Sequence, residues 1–597
     1  MLGVKQSAVP RLTGASWERA VGLGESLLLL VLVGAINASV TRAQEADRIF
    51  VGGKVVTVDA DFRIAEAVAV REDRITAVGS NDEIRKLAGA NTEVVDLQGA
   101  MLLPGLIDSH VHATGAATFE FDHRVPAVAS IDDVLKYIGD RAAALEDGEW
   151  IVVQQMFITR LAERRFPTRE ELDRVAPRNP VVFSTGPDVA ANSLALELSG
   201  IDDDYQLPSD STGRIERDSQ GRITGVIRGA SSILKSKQSK KSPTLDEKQE
   251  LLRELLRDYN SVGITSVSDR NTSDAGLELY QSLLDQDELT VRVFMFYSVN
   301  PDAEPEKIRQ QIDAAAQHPL HTYNNRLWLR GIKVFLDGGM LTGSAYMREP
   351  WGVSQIYSIN DPNYRGTLKI APERLYQIAK MALSHELQMT AHAVGDGAVH
   401  HMLDAYERAA ETIDVRAARP CITHCNFMSA EAITRMKQLG VVADIQPAWL
   451  YLDGNTLTKQ FGLERLEFFQ PYRSLSDAGV VVGGGSDHMQ KIGSLRSVNP
   501  YNPFLGMWIT LTRIPRGAER ALHEEQKISR QQALRLYTIN NAFLSFEEKE
   551  KGSIEAGKLA DLIVIDRDLL ECPTDAVRDT RVLRTYVGGK LVYDVHE

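Results

Sequence analysis

Two histidines stand two residues apart in the segment Asp108-Ser109-His110-Val111-His112. Alternate residues of a β-strand point to the same face of its sheet, so a strand here would place both imidazoles on one side. Neutral imidazoles on one side can bind a single divalent metal ion. Paired histidines also occur on protein surfaces, and the pair alone leaves that alternative open.

Further side chains that can bind a metal lie at the ends of other apolar runs. Lys333 lies within such a run, His392 and His424 end two more, and Asp487 follows a fourth, directly before His488. Catalytic side chains of a parallel β/α barrel come from the carboxyl ends of its strands, where the loops converge. The repetition of these residue types at successive strand ends therefore favours a shared metal centre.

Each of these residues also has a structural interpretation. His392 and His424 could be hydrogen-bonded core histidines, Lys333 could pair with Asp337, and Asp487 could cap the next helix. These interpretations explain the residues singly but not their common position at strand ends. Imidazole and carboxylate ligands without a required thiolate suit zinc, with manganese and iron as alternatives.

The elements that would position these residues are short Val/Ile/Leu-rich runs that alternate with helical stretches. This alternation is typical of a parallel sheet, and eight runs indicate an α/β protein of the (β/α)8 TIM-barrel class. The runs are Met101–Ile107, Ile264–Ser268, Val291–Val299, Leu329–Phe335, Leu387–Ala391, Cys421–Thr423, Val441–Ile445 and Val480–Gly484. The segment between the first two runs is far longer than one crossover and predicts a large insertion after strand 1.

The sequence pattern near both ends of the chain predicts β-strands. Arg48–Asp59 alternates apolar and polar residues around a Gly-Gly pair, and Thr585–Asp594 repeats that pattern, so each predicts a hairpin. Hairpins this small need a shared sheet. We therefore predict a composite β-sandwich domain from residues 44–100 and 550–597, around a barrel at 101–549 whose segment 113–260 is a subdomain over the active site.

The N-terminus has the pattern of a secretory signal. Basic residues precede the apolar run Leu27–Val33, and a small-residue cleavage pattern ends at Ala43. We expect a signal peptide at residues 1–43 and export to the periplasm or the medium. The alternative is an uncleaved membrane anchor, the only membrane contact that we expect.

Composition limits the partners. Lys and Arg number 67 against 81 Asp and Glu, and the net charge of −14 argues against a nucleic-acid partner. The 3 cysteines are too few for a disulfide framework. We expect a small-molecule substrate, and a homodimer is one assembly left open.

The motifs together resemble the amidohydrolase superfamily, in its YtcJ-like branch related to N-substituted formamide deformylases (amidohydrolase family 3). The segments that carry this resemblance are PGLIDSHVH (104–112), IKVFLDGG (332–339), TAHAVGDGAV (390–399), THCN (423–426), GGGSDH (483–488) and GSIEAGKLADLIVID (552–566). The resemblance implies a metal-dependent hydrolase with a barrel and a composite β-sandwich. It also implies six metal ligands, which are His110, His112, His392, His424, a carbamylated bridging Lys333, and Asp487, which doubles as proton shuttle.

The sequence departs from this branch within the insertion. Asp188 stands where a Gly-His pair is usual, and no acid stands near the end of Thr224–Gly229. These departures bear on the substrate rather than on the metal. Substrate-binding candidates come instead from the loops after strands seven and eight; they are Gln446, Trp449, Tyr451, Trp508 and Arg513, the aromatic members of which could equally pack in the core.

The expected activity is cleavage of an amide-type, non-peptide C–N bond by a metal-activated water, on one or two ions. The candidate catalytic residues are Asp487 as general base and acid, Lys333 and His424. Two alternatives remain at this point. One is a lactonase, esterase or isomerase that uses the same site, and the other is an exported binding protein that has lost turnover.

Overall fold

The computed structural model describes residues 45–186, 188–208, 213–237 and 241–596. The predicted signal peptide at 1–43 lies outside these residues. Within them, no helix has the length and apolar character needed to cross a membrane.

The strands, in chain order, are β1 (Ala46–Val51), β2 (Lys54–Val56), β3 (Ile64–Ala65), β4 (Ala67–Arg71), β5 (Arg74–Gly79), β6 (Ala88–Asp96), β7 (Met101–Pro104), β8 (Leu106–Val111), β9 (Ile151–Val153), β10 (Val181–Ser184), β11 (Val189–Ala191), β12 (Arg214–Arg217), β13 (Ile223–Arg228), β14 (Ile264–Thr272), β15 (Arg292–Ser298), β16 (Leu327–Phe335), β17 (Gln388–Ala393), β18 (Cys421–His424), β19 (Val442–Ile445), β20 (Val482–Gly484), β21 (Leu562–Ile565), β22 (Val582–Val587) and β23 (Lys590–Asp594).

The α-helices are α1 (Asn81–Arg85), α2 (Ala113–Thr118), α3 (Ile131–Ala144), α4 (Arg169–Val175), α5 (Ser193–Ser199), α6 (Leu245–Ser261), α7 (Asp274–Asp285), α8 (Pro305–Gln317), α9 (Pro372–Ser384), α10 (Asp396–Ala410), α11 (Val415–Ala418), α12 (Ala430–Leu439), α13 (Pro447–Phe461), α14 (Tyr472–Asp477), α15 (Pro503–Thr512), α16 (Arg530–Leu536) and α17 (Ile539–Leu544).

Eight parallel strands form the central sheet in the order β8-β14-β15-β16-β17-β18-β19-β20. The two ends of this sheet meet at the carboxyl side, where Asp487 N donates to His110 O at 2.8 Å and His112 N donates to His488 O at 2.8 Å. These bonds join the first strand to the loop after the last, so the nearly closed sheet confirms the predicted barrel. Its strand ends converge on one mouth.

The first predicted barrel run, Met101–Ile107, was wrong in its bounds. The chain divides it at Gly105, so that β7 joins a different sheet and β8 is the barrel strand. A Cβ at Gly105 would lie 2.2 Å from Thr265 Oγ1, so this close approach to β14 requires glycine. His110 consequently lies within the barrel strand and His112 directly follows it.

Capping side chains and glycines set the ends of the helices around the barrel. Helix α6 begins after Thr244, whose hydroxyl accepts from Glu247 N while the Glu247 carboxylate accepts from Thr244 N. Helix α12 begins after the Ser429 cap and ends at Gly440, which has φ +69°. Their apolar faces join the strands in one large buried core. This packing fixes the strand ends that carry the site.

Two further sheets lie outside the barrel. The first contains N-terminal strands alone, and the second combines strands from both chain ends. One has the order β5-β4-β1-β6 and the other β23-β22-β21-β7-β2-β3. The hairpin predicted at Thr585–Asp594 is present as β22 and β23, but the one predicted at Arg48–Asp59 is wrong, because β1 and β2 belong to different sheets. Gly52, at φ +74°, and Gly53 carry the chain from one sheet to the other, and a Cβ at Gly53 would lie 2.5 Å from Ala100 O.

The segment between β8 and β14 contains a sheet of its own, in the order β12-β13-β11-β10-β9. Helix α3 packs against strand β9, which is paired with β10. Two separate apolar clusters support this segment. It is therefore a folded unit rather than a long loop.

Candidate metal centre

Three predicted ligands come together at the barrel mouth. The His110 and His112 Nε2 atoms are 3.3 Å apart, and Asp487 Oδ1 lies 3.3 Å from the first and 3.1 Å from the second. One potential ligand atom from each of these residues lies within 4.8 Å of the others. Three donors this close around one point suit a single ion.

His424 and His392 extend this cluster across the mouth. The His424 ring centroid is 5.2 Å from that of His110 and 4.4 Å from that of His392. Burial lowers the pKa of all three imidazoles well below the ordinary value, and the neighbouring Lys333 lowers them further. These rings are therefore neutral near pH 7, the form that binds a metal.

The backbone is strained at two of the predicted ligands. His424 has φ +83° and Asp487 has φ +56°, in the left-handed region that residues with a side chain seldom occupy. Such strain persists only where the surroundings enforce it, and it concentrates at functional sites. At Asp487 the enforcing contacts include Asn499 Nδ2, which donates to the Asp487 carbonyl at 2.8 Å.

Lys333 is buried near His110 and carries no ion pair among the described residues. Its ammonium nitrogen is buried and, among the described residues, has no hydrogen-bond partner. Burial, reinforced by the Arg270 charge, lowers the Lys333 pKa to about 8. Asp337, the alternative partner considered from sequence, instead accepts from the backbone N–H groups of Tyr346, Val394 and Gly395.

His392 lies at the edge of the cluster. Its Nε2 is 3.2 Å from Gly338 O and 3.7 Å from Asp337 Oδ1, both in the loop after β16. The Phe335 ring, 36% exposed, lies 5.7 Å from the His392 ring and 5.3 Å from Lys333 Nζ. Phe335 is thus an apolar wall of the mouth that sequence reasoning missed, although it stands two residues after Lys333 on the same strand.

Sequence reasoning also missed Asp444, in the middle of β19. This fully buried carboxylate lies 3.0 Å from His110 Nδ1 and 3.1 Å from Arg270 Nε, and it accepts from Ser109 Oγ at 2.6 Å. A carboxylate on the second nitrogen of a ligating imidazole sets the tautomer and raises the basicity of the first. An Asp inside an otherwise apolar strand was the available signal.

Gln446 holds His424 rather than standing free in a pocket. Its Oε1 is 2.7 Å from His424 Nδ1, and its Nε2 donates to Asp444 Oδ1 at 3.1 Å. A side-chain oxygen must accept from Nδ1–H, so this bond leaves His424 Nε2 with its lone pair available. One hydrogen-bonded network thus orients both His110 and His424.

The other substrate-binding candidates lie at different distances from the cluster. The Trp449 ring stacks on His424 at 4.6 Å, whereas Tyr451 packs edge-on against Trp508 at 5.8 Å. Trp508 Nε1 donates to Asp575 Oδ1 at 3.0 Å. Arg513 is fully buried, and its guanidinium donates to the carbonyls of Leu522, Gln470 and Phe469.

The two insertion segments in which this sequence differs from the branch contact each other. Asp188 Oδ2 lies 3.2 Å from Arg228 NH1, and Gly229 N donates to Asp188 Oδ1 at 2.8 Å. This pair lines a cavity of about 300 Å³ that also reaches Gly338, the residue whose carbonyl contacts His392. The altered residues therefore form one wall of a cavity beside the cluster.

The donor set fits a divalent metal ion. It combines four imidazoles, one carboxylate and a buried amine that has no hydrogen-bond partner in the described part of the chain, while both buried cysteines nearby, Cys421 and Cys425, have pKa values raised by burial. Nitrogen and oxygen donors of this kind suit zinc, manganese or iron.

The sequence is similar to proteins of a known family. Residues 93–593 match the amidohydrolase family. The chain is 31% identical over 568 residues to an N-substituted formamide deformylase of Arthrobacter pascens, covering 92% of this chain and 99% of that protein. It is 23% identical over 555 residues to the putative amidohydrolase YtcJ of Bacillus subtilis (strain 168), covering 91% and 98%.

A solved structure has the same fold. The uncharacterized metal-dependent hydrolase from Pyrococcus furiosus superposes with a TM-score of 0.64 at 21% sequence identity, covering 88% of this chain and 100% of that one. At this identity the likeness concerns the fold alone.

Proposed function

The chain belongs to the amidohydrolase family and is a hydrolase acting on non-peptide C–N bonds, and from this premise we propose that it cleaves small N-substituted amides with the help of a divalent metal ion at the His110/His112/Asp487 cluster. The observation that carries this proposal is the cluster itself, with donor atoms 3.1–3.3 Å apart. N-substituted formamides are the first substrates to test, since one relative is named for them.

The contacts support the ligand roles. His110, His112, His392 and His424 would hold the ion through imidazole nitrogens, with His110 oriented by Asp444 and His424 by Gln446. When bound, a divalent ion lowers the pKa of a water to about 7 and polarises a carbonyl oxygen. Zinc is the first candidate, and manganese and iron are the alternatives.

Asp487 supplies the proton transfer. Its carboxylate lies 3.1 Å from His112 Nε2, at the point where the donors converge. From there it accepts a proton from the attacking water and returns it to the leaving nitrogen. The amine then leaves as a neutral group, which completes the cleavage of the C–N bond.

We also propose that Lys333 carries a carbamate that bridges two ions. A protonated amine would repel a cation, whereas a carbamate offers two oxygens. Its buried nitrogen has no hydrogen-bond partner among the described residues, which leaves room for this role. High-resolution density, or mass measurement of the native protein under CO2, should reveal the added carboxyl group. An unmodified amine turned away from an occupied site would contradict the bridge.

The decisive experiment measures metal and activity together. The protein purified without chelator should contain tightly bound divalent metal and hydrolyse a panel of N-substituted formamides, and His110→Ala should lose both. A preparation with less than about 0.5 equivalents of transition metal, and no gain of activity on adding zinc or manganese, would overturn the proposal. Esters and lactones in the same panel separate an esterase or lactonase from an amidase.

We propose further that the protein is exported, on the evidence of the N-terminal sequence pattern alone. Fractionation of cells followed by N-terminal sequencing of the mature chain tests this, and cleavage after Ala43 is the expected result.

A further inference from the structure

A second cavity lies between the insertion and the segments that follow β19 and β20. It measures about 480 Å³ and is lined by the insertion, by the start of α13, and by the loop that contains residues 490–500. Five cationic side chains and no carboxylate line it; the cations are Arg160, Lys491, Arg496, Arg516 and Arg578. In a chain with a net charge of −14 this local excess of positive charge needs an explanation.

Two of the five cations are neutralised by carboxylates behind the wall. Arg160 NH2 lies 2.9 Å from Asp453 Oδ2, and both side chains are buried. Arg496 NH2 lies 2.7 Å from Glu120 Oε1 and fastens the loop to the insertion. These pairs hold the wall in place and leave three cations unexplained.

The remaining three have no carboxylate within ion-pair distance in the described part of the chain. Lys491 is 6% exposed, and its ammonium donates to the carbonyl of Pro126 at 3.0 Å. Arg516 and Arg578 are exposed, and the Arg578 guanidinium lies 4.7 Å from the Trp508 ring centroid. The charge of Glu120 reaches Lys491, but this carboxylate already pairs with Arg496. Burying an ammonium without a carboxylate at ion-pair distance is costly, and an anionic ligand would offset that cost.

The cavity and the metal centre share one loop and one helix. Asp487 begins the loop that reaches Lys491, and Asn499 in the cavity-lining part of that loop holds the Asp487 carbonyl. Helix α13 carries Trp449 against His424 and, two residues later, Tyr451 in the cavity wall. The cavity and the metal centre are thus both bordered by the segments that follow β19 and β20, at the same end of the barrel.

We propose that this cavity binds an anionic group of the substrate, so that the preferred substrates are amides with a carboxylate or phosphate several bonds from the scissile C–N bond. The proposal rests on the proposed function, since it names the substrate class of that site. Tyr451, Leu452 and Leu505 would contact the apolar chain between the two ends.

Matched substrates test this directly. N-formylhexylamine and N-formyl-ε-aminohexanoate have the same carbon chain, but only the second ends in a carboxylate. We expect the carboxylate form to have a KM at least about 10-fold lower, because a charge-assisted hydrogen bond has that order of effect. Homologues with fewer and more methylenes locate the best length, and the corresponding aminoalkyl phosphates distinguish phosphate from carboxylate.

The variants Arg516→Gln and Arg578→Gln should remove this preference. Each should raise KM for the carboxylate substrate about 3- to 10-fold and leave kcat and the neutral substrate unchanged, because an interaction equal in the ground and transition states acts on KM alone. The control is Arg520→Gln, an exposed arginine outside the cavity wall with the same loss of charge.

The outcomes separate the two proposals. Equal KM values for the charged and neutral members at every chain length, or an equal effect of Arg520→Gln, would overturn the anionic subsite while metal-dependent amide hydrolysis stands. Absence of hydrolysis across the whole panel, with metal bound, would instead overturn the proposed function. Competition by glutarate or inorganic phosphate against a neutral substrate adds a readout that does not depend on the choice of amide.

Discussion

The barrel strand ends and the inserted segment both border the candidate site, but they hold their side chains differently. On the barrel, strand register sets the position of each candidate ligand. Hydrogen bonds from side chains on or directly after other strands orient it, as Gln446 does for His424. In the insertion, polar side chains are held by ion pairs to one another, as in Arg228 with Asp188 and Glu216. The comparison predicts that barrel substitutions affect metal and chemistry, and that insertion substitutions affect substrate binding.

The largest effect should come from Asp487→Asn. The amide is nearly isosteric and can still place an oxygen beside His112, but it cannot accept the proton of the attacking water. We expect kcat to fall about 10²–10⁴-fold, the usual loss for a positioned general base. Bound metal should remain mostly intact by elemental analysis.

His110→Ala provides the contrast to this variant, because it removes a ligand and should empty the site. If Asp487→Asn kept more than about a tenth of the wild-type kcat, another group would have to transfer the proton. His424 would then be the next residue to substitute. His488 is less suited, because Tyr259 and two backbone carbonyls already occupy both of its ring nitrogens.

The difference between the two regions also explains what the sequence could predict. The barrel, most of its strands and the candidate ligands at the strand ends could be predicted from local patterns, because a parallel strand and the side chain at its end are encoded within a few residues. Asp444 escaped notice because its role depends on His110, a partner remote in sequence on β8, which β20 separates from β19 in the closed sheet. No local pattern reveals such a contact.

The insertion and the terminal sheets were harder for the same reason. Asp188 and Arg228 pair only because β11 and β13 are neighbours in a sheet whose order is not the chain order. The Gly-Gly pair at Gly52 has the local signature of a hairpin, yet the chain changes sheets there. In both cases tertiary contacts decided between structures that the local sequence allows equally.

An intermediate effect is expected from Asp444→Asn. The variant weakens the contact to His110 Nδ1, and loss of such a partner typically lowers metal affinity about 10–100-fold. Competition with a chelator of known affinity measures it. The variant also leaves the buried Arg270 without its carboxylate, which should destabilise the fold by about 3–5 kcal/mol.

Asp561→Asn is the matched control for that loss of stability. Asp561 is also buried and pairs with a buried arginine, Arg292, at 2.7 Å, at the amino end of β15 and away from the mouth. Both variants should melt at lower temperature, but only Asp444→Asn should lose metal affinity. Equal metal affinities in the two variants would show that Asp444 supports the fold and not the ligand.

The smallest effect should come from the insertion, in the double variant Asp188→Asn/Arg228→Gln. Removing both leaves neither Asp188 nor Arg228 as a buried unpaired charge, and Glu216, the second acid on Arg228, is partly exposed and keeps Arg214 at 3.9 Å, so the fold should tolerate the change. Because this pair lines the cavity that reaches Gly338 but does not touch the ligand cluster, kcat and metal content should stay within about 2-fold while KM rises about 3- to 10-fold. The exposed pair in the same segment, Asp218 with Arg222, gives the control Asp218→Asn/Arg222→Gln, which should change neither constant. A fall in kcat with unchanged KM for Asp188→Asn/Arg228→Gln would mean that the insertion positions the reacting groups. It would contradict the assignment of chemistry to the barrel and of substrate binding to the insertion.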